Sequence, residues 1–189
     1  MVNRHSELLD ALRDYASIDD VEESHRRAMI ALLEGAPEPF SRAHFLPGHF
    51  TASCYIVDAA GRLLLHHHRR LNRWLQMGGH VEGNEHPRAA ALREGVEESG
   101  LGDLALATQA IVDLDVHRIP AGKGEPDHDH FDVRYVARTA DPEAITIDRG
   151  ESNDLAWVTL DRALELMPGP ESQRVIRKID RLLRERSLS

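Results

Sequence analysis

Apolar residues recur at helical spacing at the start of the chain: Leu8, Leu9, Leu12 and Tyr15 over residues 6–16, then Val21, Met29, Leu32 and Leu33 over residues 20–34. Two amphipathic helices are predicted there. Gly35, Pro37 and Pro39 break the pattern and begin a linker leading to His49, so the chain divides into an N-terminal helical extension, residues 1–48, and a main domain, residues 49–189. His49 to Asp58 favours a strand, and Ala59-Ala60-Gly61 turns it into a second strand, Arg62 to His67, as a hairpin. After a loop containing Arg69, Arg70, Asn72 and Arg73, a short extended piece from Trp74 to Met77 runs into Gly78-Gly79. Helical spacing returns with Ala89, Leu92 and Val96, which are expected to face the core. Strands near 103–117, 130–138 and 154–159 and helices near 160–166 and 170–186 complete the pattern. Strands flanked by helices without strict alternation predict an α/β fold of the α+β kind, an α/β/α sandwich around a mixed β-sheet.

A chain of 189 residues suits one core with a modest extension. Its 41% hydrophobic and 29% charged residues are ordinary for a globular protein, and no apolar run is long enough to span a bilayer, so no membrane partner is expected. The first residues lack an apolar signal core, which makes the cytoplasm the expected location. A formal net charge of −9 opposes the basic surface that nucleic acids require. A small anionic substrate is still compatible, provided positive charge is supplied locally, and a divalent cation among clustered acids is the simplest source. Cys54 is the single cysteine, which excludes an internal disulfide and a multi-cysteine zinc site. Its apolar neighbours Ala52, Tyr55, Ile56 and Val57 place it in the core. A homodimer is left open.

The chemistry concentrates between Gly78 and Leu101. Pro87 suits the first helical position and Gly100 the left-handed position just past the end, giving a helix of about three and a half turns. At helical pitch Glu94, Glu97 and Glu98 fall within an arc of about 100°, with the small residues Ala90, Ala91 and Gly95 beside them leaving room for an approach. Three like charges on neighbouring turns cost about a few tenths of a kcal/mol per pair, a conflict that a cation removes. Mg²⁺ takes oxygen ligands and keeps waters for chemistry, which suits carboxylates spaced i, i+3 and i+4.

The stretch resembles the Nudix box: a glycine, five residues, Glu, seven residues, then Arg-Glu-hydrophobic-x-Glu-Glu-x-Gly-hydrophobic. Gly79, Glu85, Arg93, Glu94, Glu97, Glu98, Gly100 and Leu101 stand at the matching positions. Gly95 occupies a usually apolar position, Asn84 stands where a second glycine is common, and His86 replaces a Thr or Ser cap; none of these removes a ligand. The resemblance implies a Nudix-like fold and a pyrophosphohydrolase acting on a small diphosphate, either a nucleoside diphosphate derivative or a nucleoside triphosphate. It implies Mg²⁺, with Mn²⁺ as a substitute, held by Glu94, Glu97, Glu98 and the Gly78 carbonyl. Gly79, Glu85 and Arg93 would be structural supports, Arg93 and Glu85 pairing to hold loop and helix in register. Glu97 or Glu98 would take the proton from water, and Glu151, in a later loop, is the alternative base.

His80, just after the double glycine, is expected to line the substrate site, with Arg73 and His66 as further substrate contacts; Trp74 reads better as core. Alternation puts His128, His130 and Asp132 on one strand face and Asp113, Asp115 and His117 on another. That pattern fits a solvated face, or a second metal site or phosphate-contacting patch suited to Zn²⁺ or Mn²⁺. Two other functions compete with hydrolysis. A non-catalytic Nudix-like nucleotide or metabolite sensor would be expected to have lost box carboxylates, and this chain keeps them. An isopentenyl-diphosphate isomerase would need a catalytic cysteine, and Cys54 lies far from the box.

Overall fold

The computed structural model describes residues 3–187 apart from Lys123 and Glu151. Its elements run α1 (Arg4–Asp14), α2 (Asp20–Gly35), β1 (Gly48–Val57), β2 (Leu63–His68), β3 (Arg73–Leu75), β4 (Met77–His80), α3 (Pro87–Ser99), β5 (Ala105–Leu106), β6 (Asp113–Ile119), β7 (His128–Arg138), β8 (Ser152–Val158), α4 (Leu160–Leu166) and α5 (Pro170–Ser187). No described helix is long and apolar enough to cross a membrane.

The described strands form one mixed sheet built around β1. On one side β1 runs parallel to β7 along its whole length. On the other it is shared: β2 pairs with its end at Ile56 and Val57, while β4 pairs with Thr51 to Cys54. β3 stays on β2, and β8 covers that strand's other edge. The sheet therefore splits between β2 and β4, and Gln76 bridges the split by donating from Nε2 to the Ser53 hydroxyl (3.1 Å).

Every residue of β1 is buried because both sheet faces are covered. Phe50, Ala52, Cys54 and Ile56 join Leu64, Phe131, Val133 and Tyr135 in a core that also takes Ala90 and Ala91 of α3 and Leu8, Leu12, Met29, Leu32 and Leu33 of α1 and α2. The N-terminal helices thus share the core of the sheet. Tyr55, Val57, Leu63, Leu65 and Val136 point the other way, toward Ala163, Met167, Val175, Ile176 and Ile179 of α4 and α5.

Three expectations need correction. Val21, assigned to the buried stripe of α2, is exposed; α2 buries Met29, Leu32 and Leu33. The single strand expected over 103–117 is two strands, both on β7. Ala107 donates its N–H to Val136 O and Val112 donates to Arg134 O, so the residues between bulge out while the edge continues. The third concerns the acids Asp113, Asp115 and Asp132 of β6 and β7, which are buried and paired with cations instead of facing solvent. Arg134 bonds Asp113 (3.1 Å), Asp115 (3.0 Å) and Asp132 (3.0 Å). Asp113 also receives Arg174 (2.9 Å) and Lys178 (3.0 Å), and Lys178 reaches Glu22 of α2. Burial works to raise the Asp113 carboxyl, but the Arg174 hydrogen bond and the charges of Arg134 and Lys178 outweigh it and hold it below the usual range. This buried network locks α2, α5 and the sheet together.

Candidate active site and its histidine cluster

The helix that carries the glutamates begins with His86 as N-cap, whose Nδ1 accepts from the Arg88 N–H (3.2 Å), and with Pro87 in the first turn; it ends at Gly100 in the left-handed conformation, φ 75°. Its buried face differs from the one the apolar spacing predicts. Ala90, Ala91, Gly95, Glu98 and Ser99 face the sheet, whereas Val96 is 37% exposed. The cause is distance: a side chain on Gly95 would press on Cys54 Sγ (3.0 Å) and Leu104 (3.1 Å). Small residues let α3 lie close against β1 and β4, and closeness matters more here than hydrophobicity. The same packing buries Cys54 completely and pushes its thiol up to about 12, so it is not a nucleophile.

Close approach brings the acids onto the glycine bend. Gly78 donates its N–H to Glu98 Oε2 (2.9 Å), and a side chain at Gly79 would collide with the Glu94 carboxylate. Glu98 is 6% exposed, while the Glu97 side chain is 57% exposed on the outer side. Arg93 organises the group. It donates to both oxygens of Glu85 (2.8 and 3.3 Å), to Glu94 (2.9 Å), to Glu97 (3.1 Å) and to the His80 carbonyl (2.9 Å). Glu85 also accepts from the Glu82 N–H (2.7 Å). Two carboxylates gathered against glycines that leave no room for a side chain form a cradle of hard oxygen donors, which fits a divalent cation of the Mg²⁺ or Mn²⁺ kind.

A cleft of about 1040 Å³ opens beside Glu94 and His80. Its other wall comes from the N-terminal extension, including Arg4, Phe40 and Arg42, which sequence reasoning missed. Arg4 lies over the Phe40 ring (4.3 Å) and donates to Gly83 O (2.6 Å). Nothing in the spacing of α1 signals that a first-turn arginine reaches the box loop.

Among the described candidates, His66 and Arg73 do not gather here. His66 is 2% exposed, with Nδ1 on the Ser152 hydroxyl (2.7 Å), and the strand registers put it on the opposite sheet face from His80. Arg73 is exposed at the start of β3, opposite His68. Trp74 packs partly buried against the α4–α5 core. Glu151 lies outside the described residues. His117 bonds Asp115 (2.9 Å) and meets the His130 ring edge-on, with centroids 5.6 Å apart. His130 turns toward His49 and His80, with ring centroids 4.9 and 5.3 Å away. His49 was not singled out from the sequence, because only the β1–β7 pairing sets it beside His130.

Burial pushes His49 and His66 down to about 4. Unfolding frees both rings to bind protons below about 6.5, whereas the folded chain resists protonation until about 4, so the unfolded state binds more protons in that window. Stability is therefore expected to fall as pH drops from 6.5 to 4, by up to about 1.4 kcal/mol per pH unit for each ring. Urea unfolding at pH 7, 6 and 5 measures the slope, and a flat profile would mean the rings take up protons within the fold.

The NUDIX domain family model matches residues 47–179. Among solved structures, a NUDIX-family hydrolase from Clostridium perfringens shares 29% identity at a TM-score of 0.54, covering 71% of this chain and 97% of that one. A C. elegans Ap4A hydrolase binary complex shares 21% identity at a TM-score of 0.59, covering 72% and 98%. The E. coli dihydroneopterin triphosphate pyrophosphohydrolase shares 16% at 0.54, covering 70% and 95%. The last two show likeness of fold alone.

Proposed function

Since the chain belongs to the NUDIX family and is a hydrolase of pyrophosphate bonds, we propose that it is a Mg²⁺-dependent enzyme cleaving a nucleoside diphosphate derivative or a nucleoside triphosphate, with Mn²⁺ able to substitute. The observation that carries this reading is the Glu98 carboxylate, buried and held on the Gly78 amide at 2.9 Å with Glu94 packed against Gly79. Acids crowded on one helix face repel one another, and a divalent cation among them relieves that repulsion.

Glu94, Glu97, Glu98 and the Gly78 carbonyl would hold the ion. When bound, it neutralises the diphosphate and acidifies a water. The chain's own groups do the rest. Arg93 fixes the box loop to α3 by joining Glu85 and the His80 carbonyl, so the acids keep their places when substrate enters. Glu97 or Glu98 takes the proton from the attacking water, with Glu151 as the alternative base. His80 lines the cleft, and Arg4 and Arg42 on the opposite wall bring positive charge to the phosphates.

The test is a substrate panel of dinucleoside polyphosphates, nucleoside triphosphates including oxidised ones, nucleotide sugars, ADP-ribose, NADH and CoA, assayed with Mg²⁺ or Mn²⁺. Two phosphate-bearing products that form only when metal is added are expected for at least one compound. Tight nucleotide binding without turnover across the panel would instead favour the sensor.

A further inference from the structure

We propose that His49, His80 and His130 form a second metal site, for a transition-metal ion of the Zn²⁺ class, distinct from the carboxylate cradle on α3. The three residues come from three adjacent strands. His49 is the register partner of His130 across β1 and β7, and His80 is the partner of Thr51 across β4 and β1. Because His49 and Thr51 are two residues apart, all three side chains leave the sheet on the same face. Taking one ring nitrogen from each, the ligand atoms all lie within 4.8 Å of one another.

Hydrogen bonding fixes which nitrogen is presented. His49 Nδ1 lies 3.2 Å from the His44 carbonyl, which can only accept, so Nδ1 carries the proton and Nε2 the lone pair. That Nε2 is buried and has no hydrogen-bond partner, in a residue 1% exposed. A backbone carbonyl orienting one nitrogen while the other is bare is the arrangement that metal-bound histidines use. His128 Nδ1 donates to Pro126 O (2.9 Å), and its Nε2 lies within hydrogen-bond distance of His130 Nε2 (3.2 Å).

The donor set separates this site from the catalytic one. Imidazole nitrogens select zinc, cobalt, nickel or copper, whereas the glutamates on α3 select magnesium or manganese. An anion is the competing occupant, but the bare lone pair of His49 Nε2 would repel it. The two sites are joined through one residue: His80 offers its ring to the cluster and its carbonyl to Arg93. An ion held by the histidines would therefore stiffen β4 and the box loop.

The experiment uses the full chain without an affinity tag, stripped with chelator and titrated with Co²⁺ and Zn²⁺. We expect equimolar binding with a tetrahedral Co²⁺ absorption spectrum, displaced by Zn²⁺. His80→Asn and His130→Asn should each weaken it on the order of 100-fold, while Glu98→Gln leaves it as in the unaltered protein. Far-UV circular dichroism reports whether each variant folds; if His130→Asn does not, His80→Asn decides. The site is refuted if no Co²⁺ binds at micromolar concentrations, if both histidine variants bind as before, or if Glu98→Gln abolishes binding. Inorganic phosphate raising the unfolding midpoint where Zn²⁺ does not would refute it equally, by showing an anion pocket.

Discussion

Glu98→Gln is expected to lower kcat by about 10²–10⁴-fold with little change in the unfolding midpoint. The amide keeps the size of the carboxylate, and its oxygen can still accept from the Gly78 N–H, so the seat between α3 and β4 stays filled. What it loses is the negative charge, which a cation and a proton in flight both need. Glu97→Gln should cut turnover comparably. Because Glu97 is exposed and bonded only to Arg93 in the cradle, its loss should disturb the fold even less. Steady-state rates at saturating Mg²⁺, with circular dichroism on the same samples, make the comparison. Wild-type rates in both variants would remove α3 from the chemistry.

The largest effect on stability is expected at Asp113, far from the glutamates. Asp113 is fully buried and receives Arg134, Arg174 and Lys178 within 3.1 Å. Asp113→Ala leaves those cations with less negative charge than they were buried against, and breaking a buried pair from one side costs about 3–5 kcal/mol. Asp115 and Asp132 continue to hold Arg134, and Glu22 continues to hold Lys178, so the damage should fall most heavily on Arg174. Urea unfolding of the variant tests this, and a loss below about 1 kcal/mol would mean that water enters and solvates the network. Kinetic constants for the folded fraction should change little, since no member of the network lines the cleft.

The contrast between these two residues shows how far the chain could be read. Glu98 was legible because a helix is a local object: Pro87, Gly100 and the i, i+3, i+4 spacing place the acids on one side whatever the rest of the fold does. Asp113 was misread as part of a solvated face or metal patch. Alternation says which side of a strand a residue leaves from, and says nothing about what covers that side. The arginine of β7 and the basic residues of α5 that cover it lie far away in sequence.

The same limit appears inside α3. Apolar spacing assigned Val96 to the core, yet the helix packs so close to β1 that Gly95 rather than Val96 meets Cys54. The sequence by itself determined the glutamate helix, its ends and most of the strand and helix succession, all governed by contacts a few residues apart. Only the tertiary structure decided that His49 meets His80 and His130, that Arg4 and Arg42 wall the cleft, and that the acids of β6 and β7 are neutralised from within. Those outcomes depend on strand register and helix docking, which join residues distant along the chain and leave no periodic trace in it.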